Sequence, residues 1–153
     1  MKAVVQRVQE ATVSVDWVVK GSIRSGLLVY LGVAHNDTEA DADWLAEKIA
    51  YLRIFNDEEG KMNLSLKDLA SADRQAGVLA VSQFTLLADA RKGRRPSWNG
   101  AAPPEKAKQL YEYFMDAVRK TGLVCECGEF QTHMKVTYTN DGPVTIILDT
   151  KLI

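Results

Sequence analysis

The chain has 153 residues, enough for one domain (1–153) whose core needs no covalent staples. Its 46% hydrophobic and 25% charged fractions are those of an ordinary globule, and Lys+Arg 19 against Asp+Glu 20 leaves a net charge of −1. That balance excludes a global positive field, so any nucleic acid must be met by a local patch.

In chain order, Val4 to Val8 reads as a first strand, and the short β-rich runs 12–15, 18–19 and 22–23 as a following hairpin. Arg7 interrupts the first apolar run, and its plainest reading is a charged side chain on the solvated face. Residues 26–33 are too continuously apolar for a half-exposed strand and predict a central one. Thr38-Glu39-Ala40-Asp41 is an N-cap signature, and Leu45, Ile49 and Leu52 at spacings of four and three predict a helix over 39–53. Residues 62–66 read as a short irregular or strand segment, 70–76 as a polar turn, and 77–86 as a second central strand. Arg91-Lys92-Gly93-Arg94-Arg95-Pro96-Ser97-Trp98 is a cationic loop with no core pattern. Pro103-Pro104 opens a second helix with Ala107, Leu110, Tyr111, Phe114 and Val118 on one face and Gly122 as its stop. A strand over 123–127 follows, and two last strands, 134–139 and 144–149, flank Gly142-Pro143. The pattern predicts an α+β fold: a mixed, largely antiparallel sheet curled towards a barrel, with two main helices.

The longest apolar run, 26–34, is about half the roughly 18 residues of a membrane span, so no membrane partner is expected. No signal-peptide pattern opens the chain, and Cys125 and Cys127, with no second Cys or His pair near them, read as reduced thiols of a cytoplasmic protein.

The usual catalytic vocabulary is missing. His35 and His133 are the only histidines, and no Gly-x-Ser-x-Gly surrounds Ser82. No grouping has metal-ligand spacing, and no glycine-rich phosphate loop is present, so neither metal nor cofactor is expected. An activated ester, however, needs a positioned water and a donor for the developing oxyanion more than a strong base. Ser82-Gln83-Phe84-Thr85 offers hydroxyls, an amide and backbone N–H groups at the end of a buried strand; the alternative is a strand end capped by polar residues. Asn140-Asp141-Gly142-Pro143 is either a hairpin turn or a fixed pair of carbonyl acceptors able to hold an ammonium group. The cations Arg91, Lys92, Arg94 and Arg95 are either a solvated loop or a phosphate contact. Phe84 and Trp98 are either core or a stacking surface for a base.

Taken together and in order, these stretches resemble the D-aminoacyl-tRNA deacylases over essentially the whole length. The resemblance is carried by residues 1–8, Leu52-Arg53-Ile54-Phe55, Gly60-Lys61-Met62-Asn63, Ser82-Gln83-Phe84-Thr85-Leu86, residues 91–97, and Asn140-Asp141-Gly142-Pro143-Val144-Thr145. It implies a homodimer acting on the 3′ end of D-aminoacyl-tRNA, with no DNA partner. In it, a Gly142-cis-Pro143 pair from one subunit holds the α-amino group in the other's site, and L-aminoacyl groups are rejected by clash. It further implies activity on glycine mischarged on the tRNA for alanine, which has no side chain to clash. Ser82 and Gln83 would line the pocket, and N–H groups near Phe84 and Thr85 would face the oxyanion. Arg7 would brace the Gly-Pro segment, supported by Asn140, Val144 and Thr145, and Met134 would line the terminal-adenosine pocket. Attack by water assisted by the ribose 2′-OH is implied, and Thr85, with no adjacent base, is a poor nucleophile. Two departures stand out: Trp17 in the first hairpin, where glycine is common, and His133 before Met134, where an acidic residue is commoner.

Overall fold

The computed structural model describes residues 1–73 and 75–152. Its strands are β1 (Lys2–Val15), β2 (Val18–Ile23), β3 (Gly26–Gly32), β4 (Phe55–Asn56), β5 (Met62–Leu64), β6 (Gly77–Ser82), β7 (Val124–Cys127) and β8 (Lys135–Asp149). Its helices are α1 (Glu39–Tyr51), α2 (Leu66–Ala72) and α3 (Pro104–Lys120), with one turn of 3-10 helix over Phe84–Leu87.

The main sheet runs β2-β1-β3-β6-β7, with β8 along the other edge of β1. Strand β1 pairs antiparallel with β2, β3 and β8, while β3–β6 and β6–β7 are parallel. The sheet curls until β2 approaches β7. A Cβ on Gly21 would lie 2.5 Å from the Cys127 carbonyl oxygen, so only glycine lets the two backbones come this close. The result is a nearly closed, barrel-like α+β fold.

Two packed regions follow from strand alternation. Leu27, Val29 and Leu31 of β3 point to the helices, where Leu45 and Ile49 of α1 and Phe114 and Val118 of α3 are all buried. Leu28 points the other way, with Val8, Val13, Leu79 and Val81, into the curl of the sheet. Burial on both faces explains why β3 is continuously apolar. Each such side chain contributes about 1.5–3 kcal/mol relative to exposure.

Five expectations are corrected. The first strand and the start of the predicted hairpin are one strand, β1, because the edge of β1 that pairs with β3 over residues 2–8 passes to β2 over 11–15. Helix α1 ends at Tyr51 rather than 53, where Leu52 turns to ψ 123° and Arg53 is drawn to β5, its Nε donating to the Asn63 carbonyl at 2.7 Å. The polar turn at 70–76 hides α2, started by a Ser65–Asp68 capping box in which Asp68 accepts from the Ser65 N–H and hydroxyl at 2.8 and 2.7 Å. Strand β6 stops at Ser82 because its partner runs out: Gln83 N–H still donates to the Leu31 carbonyl at 2.8 Å, after which the chain tightens into the 3-10 turn.

The fifth correction matters most for the site. Residues 140–145 are not a hairpin turn. Thr145 pairs with Gln6 and Asn140 with Val8, so β8 continues in one direction along β1 and the intervening residues bulge out of the ladder.

Candidate functional site

The residues singled out in the sequence fall into three places. Ser82, Gln83, Phe84 and Met134 line one cleft of about 690 Å³, together with Tyr30, Trp98, Tyr111, Phe130, His35 and His133. The bulge in β8 holds Gly142 and Pro143. The cationic loop lies beyond Asp89. Thr85 does not line the cleft; it sits one step along, exposed, where its Oγ1 accepts from Gln83 Nε2.

At the cleft, the end of β6 delivers Ser82 and Gln83, and the 3-10 turn follows at once. Phe84 and Thr85 head that turn, so no preceding intrahelical carbonyl takes their N–H groups. Both N–H groups stand at the strand end without a backbone acceptor among the described residues. Tyr111, buried on α3, donates to the Ala80 carbonyl at 2.8 Å, and burial pushes its phenol well above the ordinary value. Burial, with the nearby Tyr138 hydroxyl, pushes Tyr30 up to about 12. Both phenols are therefore neutral at physiological pH. Phe84 and Trp98 meet edge to face, centroids 5.8 Å apart, and remain 58% and 41% exposed.

The bulge is built from β8 and braced from β1. Its Gly142–Pro143 peptide bond is cis, and Gly142 has φ +130°. A side chain at Gly142 is strained twice over, by that φ and because a Cβ would lie 2.8 Å from Val144 Cγ2, 3.0 Å from the Val144 nitrogen and 3.2 Å from Arg7 Nη2. Arg7 is not on a solvated face: it is buried, and its Nε donates to the Asp141 carbonyl at 3.1 Å and lies 3.2 Å from the Asp141 carboxylate. Its Nη1 donates to the Ile54 carbonyl at 2.7 Å and Asn56 Oδ1 at 3.2 Å. One guanidinium thus ties β4 to the bulge. Asn140 closes the base, its Oδ1 accepting from Val144 N–H at 3.2 Å and its Nδ2 donating to Thr145 Oγ1 at 3.3 Å. Thr145 Oγ1 also accepts from Gln6 Nε2 at 3.1 Å. Gly142 and Pro143 are exposed and do not line the cleft of their own chain.

Sequence reasoning missed Ile54 and Asn56 as partners of Arg7. The available signal was the Leu52-Arg53-Ile54-Phe55 stretch, whose bearing on residue 7 is purely spatial. It also passed over Tyr30 and Tyr111, which fall within the apolar run of a central strand and on the apolar face of the second helix, and it did not single out Phe130.

In the cationic loop, Asp89 and Ser97 exchange backbone hydrogen bonds of 2.8 and 3.0 Å, closing residues 90–96 into an exposed arm. Arg91 is engaged by Asp89, with Nη2 to Oδ2 at 2.6 Å and Nε to Oδ1 at 2.9 Å. Those hydrogen bonds hold the Asp89 carboxyl well below the usual carboxylate range. Lys92, Arg94 and Arg95 have no carboxylate partner among the described residues.

The fold and cleft define an α+β protein with a largely apolar cleft at the end of a central strand. A family model described as D-Tyr-tRNA(Tyr) deacylase matches residues 4–149. The chain is 58% identical to a D-aminoacyl-tRNA deacylase of Koribacter versatilis, over 99% of this chain and 98% of that protein. It is 56% identical to one from Thermotoga petrophila, over 97% of each. Among solved structures it superposes on the c-Myc DNA Unwinding Element Binding Protein with a TM-score of 0.87 at 40% identity, covering 98% of this chain and 99% of that one. It shares its fold with a probable eukaryotic D-amino acid tRNA deacylase, with a TM-score of 0.80 at 16% identity, covering 96% and 97%. The chain belongs to the D-Tyr-tRNA(Tyr) deacylase family and is an ester-hydrolysing enzyme.

Proposed function

We propose that the protein hydrolyses the ester between a D-amino acid and the tRNA 3′ end, in the cytoplasm, and sorts its substrates by handedness rather than by side chain. Deacylation of D-aminoacyl-tRNA is the activity of the family, and the geometry of the cleft and the bulge supports the following course for it. Water attacks the ester carbonyl carbon, assisted by the ribose 2′-OH. The negative charge on the carbonyl oxygen is received by the N–H groups of Phe84 and Thr85. As the carbonyl re-forms, the bond to the ribose oxygen breaks and that oxygen takes up the proton lost by the attacking water, relayed by the 2′-OH, leaving free amino acid and the tRNA hydroxyl. Ser82 and Gln83 position the ester. The carbonyls of Gly142 and Pro143 of the partner subunit accept the α-ammonium group. Acceptors made of main chain cannot adjust by rotamer, so the α-carbon is held and one hand of substituent meets the proline and glycine atoms. A D-side chain of almost any kind is accepted, and so is glycine, which makes Gly-tRNA(Ala) a second substrate.

The observation that carries this reading is the bulge itself. A buried arginine with four acceptors around it is spent on holding two exposed residues outward, away from their own cleft. Such a device is meaningful when a second copy of the chain supplies the cleft it enters. The assay compares purified protein on D-Tyr-tRNA and L-Tyr-tRNA: fast release from the first and almost none from the second is expected, and equal rates would sink the proposal.

The 40%-identical structure with a DNA-binding name favours a second reading, a nucleic-acid-binding module that uses the basic loop and performs no chemistry. In that case Arg94→Ala with Arg95→Ala abolishes function while Pro143→Ala leaves it intact. The deacylase reading expects Pro143→Ala to be the more damaging.

A further inference from the structure

We propose that the 89–98 arm is a receptor for the unpaired nucleotides preceding the terminal adenosine of the tRNA, with Lys92, Arg94 and Arg95 on their phosphates and Trp98 as a stacking surface. The proposal rests on the deacylase reading and extends it from the ester to the strand that carries it.

The arm is anchored at the mouth of the cleft. Its closing pair, Asp89 and Ser97, is followed directly by Trp98, which lines the cleft beside Phe84. The Trp98 carbonyl accepts from Ala101 N–H at 2.9 Å, and Ala102 N–H donates to the Val33 carbonyl at 2.9 Å, tying this end of the arm to the end of β3. The main chain at Trp98 is thus fixed, while much of the side chain's surface is open. Two aromatic rings meeting edge to face, each substantially exposed, are costly to leave in water and suit a flat heterocycle. An aromatic surface beside a cationic track is how proteins bind single strands of any sequence.

The four cations divide into two roles. Arg91 is neutralised by Asp89 and shapes the arm, whereas Lys92, Arg94 and Arg95 are exposed and unpaired with any carboxylate among the described residues. On a chain of net charge −1, three free cations on one short loop are a local field able to draw a phosphate strand towards the cleft.

The test titrates a fluorescein-labelled single-stranded RNA ending in CCA against the protein at several KCl concentrations. Replacing Lys92, Arg94 and Arg95 together by alanine is expected to weaken binding at least tenfold at low salt. The slope of log affinity against log salt should fall by about 2, at about 0.7 per cation for a single strand. A charge-matched control, Lys20→Ala with Lys61→Ala and Lys120→Ala, keeps the wild-type slope. Trp98→Ala is expected to weaken the same RNA roughly tenfold, with Trp98→Phe recovering most of the loss. Quenching of tryptophan fluorescence by the RNA should disappear in both Trp98 variants. An unchanged slope in the triple variant, undiminished binding by Trp98→Ala, or no binding of the RNA by the wild type overturns the assignment. Hydrolysis of D-Tyr-tRNA by the same wild-type preparation separates the two levels: if it persists while the slope test fails, only the arm is misassigned, and if it is absent the deacylase reading itself falls.

Discussion

Arg7 combines the burial of a core residue with the full charge of a guanidinium. Its planar fork reaches Asp141, Ile54 and Asn56 at once, and a lysine ammonium on a flexible stem does not reproduce that geometry. Arg7→Lys is expected to lower stability by about 1–3 kcal/mol, since buried acceptors are left unpaired; the urea midpoint measures this. The same variant should lose more than tenfold in kcat/KM on D-Tyr-tRNA, because the bulge loses its brace. A second buried ionic group lies at the start of β1, where the Met1 α-ammonium is 2.8 Å from Asp37 and 2.5 Å from Thr150 Oγ1. Thr150 in turn donates to Asp41 at 2.5 Å, and Lys151 Nζ donates to Asp41 at 2.7 Å. Burial alone raises the Asp41 carboxyl, but the bonds from Lys151, Thr150 and Thr38 outweigh it and hold the group well below its ordinary value. A depressed carboxyl stabilises the fold above its unfolded value, about pH 4, and that contribution is lost as pH falls through the folded one. Acid unfolding should therefore set in below about pH 4. In Asp41→Asn the stability at pH 7 should drop and its dependence on pH below 4 should flatten, as thermal melts across pH 2–7 would show.

At the level of elements, β8 carries the decisive irregularity. Both of its halves pair with β1, so the bulge between them is pinned at each end and cannot slide. Asn140 and Thr145 tie its base, and Gly142 alone fits its apex. Gly142→Ala brings a Cβ against the Val144 backbone and the Arg7 guanidinium at a φ that disfavours side chains. The expected outcome is a folded protein, destabilised by about 1–3 kcal/mol, with hydrolysis of D-Tyr-tRNA reduced at least a hundredfold and discrimination against L-Tyr-tRNA weakened. Paired rate and melting measurements check both halves. Most elements were legible: β3 from its unbroken apolar run, α1 from Thr38 and the Leu45/Ile49 spacing, α3 from Pro104 and its apolar face. Helix α2 was not read, although Ser65-Leu66-Lys67-Asp68 carries its cap signal, because the polar residues towards 76 suggest a turn. The bulge was not, because Asn140-Asp141-Gly142 is equally good chemistry for a hairpin and only the register against β1 separates the two.

For the whole molecule, the cleft and the bulge lie apart within one chain, and β8 presents 15 residues along an edge of the sheet with Ile147 74% exposed. No helix among the described residues is long and apolar enough to cross a membrane. If the bulge of one subunit enters the cleft of the other, two inactive variants should repair each other. Gln83→Ala breaks the cleft and Gly142→Ala breaks the bulge. Unfolded together and refolded as an equal mixture, about half the dimers are mixed and each has one intact site. Recovery of about a quarter of the wild-type rate is expected by that reckoning. No recovery above either parent would place the bulge and the cleft it serves in the same chain.

What the residues alone determined was local or periodic: the central strands, the two long helices, the curled mixed sheet, and the two stretches 82–85 and 140–145 as places where chemistry is possible. Each rests on neighbours in sequence, where capping, alternation and turn preference act. What only the folded molecule decided was which distant residues meet. Arg7 changed from a solvated charge to a buried brace because Ile54, Asn56 and Asp141 converge on it, and four cations in a loop became one structural arginine and three without a carboxylate partner among the described residues because Asp89 claims Arg91. Burial and hydrogen bonding depend on distances in space, and a pattern along the chain does not carry them.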